Sequence, residues 1–89
     1  MKSTKEILDE RKKTHGDFKY HAHMTQRLKT IIRTCSKAPL NDVQLEAIDM
    51  ILHKIARITC GDPDYKDSWD DIAGYATLAA NEINERQNS

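Results

Sequence analysis

Glu46, Asp49, His53 and Arg57 follow one another at intervals of three and four residues, so on a helix they form one continuous polar stripe. The E-x-x-D spacing of Glu46 and Asp49 points two carboxylates the same way, as a metal site on a helical bundle requires. Arg57 can hold a phosphate with two parallel hydrogen bonds, His53 extends the line toward it, and Lys54 on the flank adds a point charge. A plainer reading stands beside this: a solvated helix face whose i,i+4 neighbours contribute little.

The acidic turn is the second candidate. Asp62, Asp64, Asp67, Asp70 and Asp71 lie within ten residues and offer oxygen ligands to a hard cation such as Mg²⁺, which favours one or two carboxylates plus substrate phosphates. It is not an EF-hand loop, because a loop started at Asp62 has Lys66 at a ligand position and Asp67 where glycine is needed. Those aspartates equally suit a helix N-terminus. Among the histidines, His15 beside Gly16 is a loop donor near Arg11 and Lys12, or simply an exposed turn residue. His21 and His23 are two apart on a helix and diverge, so they share no ion.

These residues need helices to position them, and the signals are helical almost everywhere. Ser3 with Glu6 reads as a capping box opening a short helix to about Lys12, broken at Thr14-His15-Gly16. Asp17 caps a second helix to about Cys35, with Phe18, Ala22, Thr25, Leu28, Ile32 and Cys35 on its apolar face, Ile31 at the edge of that face, and Lys19, Arg27, Lys29 and Arg33 on the other. Asn41 caps a third that ends before Gly61, its apolar stripe being Leu45, Ile48, Ile51, Leu52, Ile55 and Ile58. A fourth is expected to start at Ser68, with Asp71 completing its cap, and to run to about Arg86. It would bury Trp69, Ile72, Ala73, Ala76, Ala79, Ala80 and Ile83. Gly74 inside it suggests a close neighbour or a ligand needing access.

The 89 residues make one domain and fold as all-α: a short N-terminal helix and three main antiparallel helices. So small a set encloses little core alone, which points to a bundle completed by a homo-oligomer. No apolar run reaches the length of a membrane span and no apolar signal core opens the chain, so a cytoplasmic protein is expected. Cys35 and Cys60 lack the dense spacing of a secreted disulfide framework. No P-loop, dinucleotide fingerprint or nucleophile motif is present.

The net charge of zero is a cancellation. Residues 1–37 carry ten Lys/Arg against four Asp/Glu, and residues 38–89 carry ten Asp/Glu against four Lys/Arg. Such a split fits a charged ligand or partner, or two halves that complement each other. Nucleic acid fits poorly, because the acidic half repels a duplex and aromatics are few. The split also suggests a pocket between the Lys54/Arg57 side of the third helix and the Asp67 to Tyr75 segment.

Ile7-Leu8-Asp9-Glu10-Arg11 with His15-Gly16-Asp17-Phe18, then Glu46 through Ile58, Gly61-Asp62-Pro63-Asp64-Tyr65 and Asp67-Ser68-Trp69-Asp70-Asp71-Ile72-Ala73-Gly74-Tyr75-Ala76, resemble a family of small helical proteins of tailed bacteriophages and prophages. The third and fourth helices are more loosely similar to phage nucleotide-modification-associated domains and to MazG-like all-α nucleoside triphosphate pyrophosphohydrolases. The latter resemblance implies Mg²⁺ held by paired carboxylates, here Glu46, Asp49, Asp67 and Asp71. The chain departs from that pattern in having no E-x-x-E before Glu46-x-x-Asp49.

The expected function is a phage-encoded accessory protein of the host cytoplasm that binds a nucleotide-like phosphorylated ligand, sequestering a host defence signal. Its ligand residues would be Arg11, His15, His53, Lys54, Arg57 and Tyr75. The alternative is an anti-defence inhibitor of the anti-CRISPR kind acting on a host protein. The third is a Mg²⁺-dependent pyrophosphohydrolase, and the residues do not decide whether the chain is an enzyme.

Overall fold

The computed structural model describes residues 1–88 as four helices with no strand among them: α1 (Thr4–His15), α2 (Phe18–Cys35), α3 (Asp42–Cys60) and α4 (Lys66–Gln87). Local chemistry starts three of them where the sequence predicts. The Glu6 N–H donates to Ser3 Oγ (3.1 Å) and the Lys19 N–H to Asp17 Oδ1 (3.0 Å). At Asn41 the cap is reciprocal: Asn41 Oδ1 accepts from the Gln44 N–H (2.8 Å), and Gln44 Oε1 accepts from the Asn41 N–H (3.1 Å). Asn41 Nδ2 also donates to Glu82 Oε1 at 2.8 Å, tying the start of α3 to the end of α4.

Two boundaries differ from expectation. Helix α1 runs on to His15, because the breaker is Gly16 alone: its N–H still bonds Lys12 O (2.9 Å) while its φ of +84° turns the chain away. Helix α4 starts at Lys66, ahead of Ser68. Asp62 has already closed the preceding turn, its Oδ1 accepting from the Asp64 N–H (2.9 Å) and its carbonyl from the Tyr65 N–H (3.2 Å). Ser68 therefore lies inside the helix, buried, and Tyr65 stands at the cap position without a side-chain capping bond.

Helix α3 is the centre of the array, packed against α4, α2 and α1. At 100° per residue its buried positions fall into two opposite sets, Leu52 and Ala56 on one side and Ala47, Lys54 and Ile58 on the other. The expected single stripe is thus split: Ile48, Ile51 and Ile55 are half-buried between the two neighbours, and Leu45 is exposed. On α2, Cys35 at the far end is exposed and His21 and Thr25 are the buried positions.

The seam of α4 is one strip away from the one expected. Ser68, Ile72, Tyr75, Ala79, Glu82 and Ile83 are buried or half-buried, whereas Trp69, Ala73, Ala76 and Ala80 are exposed. Polar bonds draw this side onto α3: Lys54 Nζ reaches Asp71 Oδ2 at 3.0 Å, and Asn41 holds Glu82. Gly74 has open space around it, with nothing within 4 Å of where a Cβ would stand, so close packing is not the reason for glycine there.

Candidate functional site

Two glycines set the geometry at the far end of α3. A Cβ on Gly16 would lie 2.0 Å from Cys60 O, and one on Gly61 would lie 2.3 Å from Thr14 O. The ends of α1 and α3 therefore touch backbone to backbone, and the Asp62 N–H seals the contact by donating to Thr14 O at 2.8 Å. Helix α1 is held across the end of α3, and a cleft of about 440 Å³ opens between α1, α2 and α3.

Its walls gather residues from three stretches of sequence. Arg11, Lys12 and His15 come from α1, Phe18 and His21 from α2, and His53 and Arg57 from α3. Asp9 and Asp17 are the carboxylates of the lining, and Asp17 already caps α2 and lies 3.8 Å from Lys12 Nζ. Among the described residues, neither Arg11 nor Arg57 has an ion-pair partner.

A ladder of rings forms one wall. Phe18 stacks on His21 with centroids 5.9 Å apart and planes 14° from parallel, and His21 stacks on His53 at 5.3 Å. Phe18 is itself 78% exposed, so one ring face is open to a ligand. The His53 tautomer follows from its neighbours. Lys29 Nζ, a donor only, meets His53 Nε2 at 3.3 Å, so His53 Nδ1 carries the proton and donates to His21 Nε2 at 3.1 Å. This relay requires a neutral His53.

Electrostatics keep it neutral. Burial lowers the affinity of His15, His21 and His53 for a proton below the ordinary value of 6.5. Nearby cations push the same way: Arg57 acts on all three, Lys29 on His53 and His21, and Arg11 on His15. Asp49, one turn before His53, opposes the shift there. His15 also packs edge-on against Tyr65 at 5.6 Å, and its Nδ1 is buried without a hydrogen-bond partner.

Of the ligand residues expected from sequence, Arg11, His15, His53 and Arg57 converge on this cleft. Lys54 does not line it. It is 8% exposed, turned to α4 and paired with Asp71. Tyr75 lies on a separate, shallower groove with Asp70, Asp71, Gly74, Thr77 and Leu78, so the cleft that gathers the other four is between α1, α2 and α3, away from the Asp67 to Tyr75 segment. Glu46, Asp49, Asp67 and Asp71 remain dispersed. Among the described residues no three His, Cys, Asp or Glu side chains lie close enough together to hold a metal ion.

Lys54 thus makes a discriminating control. Lys54→Met keeps the buried stem and removes the charge, and Asp71, about half exposed, can be solvated instead. The expected loss is under about 1 kcal/mol in urea unfolding, against roughly 2 kcal/mol for Lys54→Ala, which also removes the packed methylenes.

A family model described as a domain of unknown function, DUF6378, matches residues 1–83, and the chain belongs to that family. No curated protein and no solved structure matches the chain.

Proposed function

We propose that this protein binds a small phosphorylated molecule of the nucleotide class in the cleft between α1, α2 and α3. The carrying observation is the convergence of Arg11 and Arg57, neither paired with a carboxylate among the described residues, on a concave site walled by the Phe18–His21–His53 rings. Two guanidiniums suit phosphate oxygens through paired charge-assisted bonds, and the open Phe18 face suits a base. The volume of about 440 Å³ lies within the range of small-molecule sites. The likeness to phage helical proteins makes a nucleotide-derived host defence signal the first ligand to test, with binding rather than turnover as its purpose.

The helices are proposed to form an antiparallel bundle completed by a second copy of the chain. Contacts reverse in order along each neighbouring pair: Asn41 meets Glu82 and Lys54 meets Asp71, while Met24 meets Thr59 and Lys29 meets His53.

Calorimetry tests the ligand reading. Titration with dNTPs, nucleoside diphosphates and cyclic oligonucleotides, with and without Mg²⁺, is expected to give micromolar binding for at least one class. No heat from any of them overturns the reading. Release of pyrophosphate during the titration would replace sequestration by hydrolysis.

A further inference from the structure

We infer that the second copy docks on one specific face of the array, the apolar strip formed by Trp69, Ala73, Ala76 and Ala80 of α4 with Ile48 and Ile55 of α3 and Ile31 of α2. This builds on the oligomer proposed above and assigns its surface.

The chain exposes too much surface for its size. A folded monomer of 10.2 kDa is expected to expose about 5,300 Å², and this one exposes 6841 Å². The excess is roughly 1,500 Å² per chain, so a pair would bury about 3,000 Å², the range of obligate homodimers. Shape agrees with area: the radius of gyration is 15.5 Å, where about 12 Å is expected for a compact chain of this length.

Part of the excess has a location. On α4 the strip at positions 69, 73, 76 and 80 lies beside the seam to α3, apolar throughout and exposed, with Trp69 54% accessible. With α2 and α4 running opposite to α3, the right-handed turn of each helix puts this strip on the same side as half-buried Ile48 and Ile55. Ile31 of α2, 57% exposed, falls on that side too. None of these seven residues is charged. The opposite side of α3 carries His53 and Arg57, so the apolar face and the ligand cleft are on different sides of the array.

Area favours a second copy over another partner, because one pairing removes the excess from both chains at once. Helices α2 and α4 flank α3 on opposite sides, so a two-fold axis along the helices lays the α2 of each chain over the α4 of the other. Alanines at 73, 76 and 80 let the two backbones approach closely, and Trp69 is the large side chain at one end of the contact.

Sedimentation equilibrium from about 1 to 50 µM, with the emission of Trp69, the one tryptophan, tests this. The wild type is expected at twice the chain mass, with emission moving to the red on dilution as Trp69 returns to water. Ala76→Glu, at an exposed position that leaves each chain's own packing intact, is expected to give a monomer with undiminished helical circular dichroism. Leu78→Glu, on another side of α4 and also exposed, is expected to remain a dimer. A dimer that survives Ala76→Glu unchanged overturns the assigned face while leaving the oligomer standing. A wild type that is monomeric throughout overturns both, and leaves the ligand cleft untouched.

Discussion

Gly16→Ala is expected to destabilise the protein by about 3 kcal/mol or more, the largest effect of any single methyl group added to this chain. Two costs combine. Gly16 has φ +84° and ψ −176°, a region essentially reserved for glycine, where another residue costs roughly 1 to 3 kcal/mol. The added methyl would also meet Cys60 O at 2.0 Å, and a backbone carbonyl at a helix end cannot move aside without shifting α3. Overpacking of this kind costs about 1 to 3 kcal/mol more. With a slope near 1 kcal/mol per molar urea for a domain of this size, the unfolding midpoint should fall by about 3 M. Gly74→Ala is the control of opposite sign: nothing stands within 4 Å, the position is mid-helix, and a gain of about 1 kcal/mol is expected. A Gly16→Ala midpoint within 0.5 M of wild type, a threshold of roughly 0.5 kcal/mol on that slope, would falsify the backbone contact between α1 and α3.

That contact also marks where sequence reasoning stops. The helices were legible because their signals are local: caps at Ser3, Asp17 and Asn41, and glycines at the ends of α1 and α3. What Gly16 and Gly61 touch is set by chain segments some 45 residues away, and punctuation alone cannot reveal it. The polar stripe on α3 identified His53 and Arg57, and the basic end of α1 identified Arg11 and His15, because spacing three or four fixes which side chains share a face. Phe18 and His21 do not stand out in the sequence as cleft residues, for different reasons. Phe18 looks like core by period, yet it stands at a helix N-terminus beyond the end of the packed seam, and it is exposed. His21 shares a face with Phe18 and Thr25, a spacing of three and four that would have placed it against α3. Helix α4 departs from expectation for a compositional reason: its alanines at 73, 76, 79 and 80 run from the covered strip to the exposed one beside it, so its hydrophobic pattern does not select the strip that α3 covers.

Arg57→Ala is expected to weaken phosphate-ligand binding by about 10- to 100-fold, the equivalent of one charge-assisted bidentate contact of roughly 1.5 to 3 kcal/mol. The same substitution should raise the titration midpoints of His15, His21 and His53, because Arg57 is a cation acting on all three; burial, the larger cause, remains and keeps them below 6.5. The pH signs then separate stability from binding. Each histidine binds protons less readily folded than unfolded, so well above pH 6.5 both states are neutral and no penalty arises. As pH falls below 6.5 the unfolded chain takes up protons first, and stability declines until the folded histidines protonate as well. An anionic ligand acts in the other direction: it favours the protonated rings, so binding should tighten between pH 8 and 6 with net proton uptake. Histidine resonances followed by NMR, with calorimetry in buffers of different ionisation enthalpy, read both effects. Unchanged affinity in Arg57→Ala alongside unchanged affinity in Lys54→Met would remove the cleft as the binding site. A loss confined to Arg57→Ala keeps it there, and separates the cleft cation from the lysine spent on holding α3 to α4.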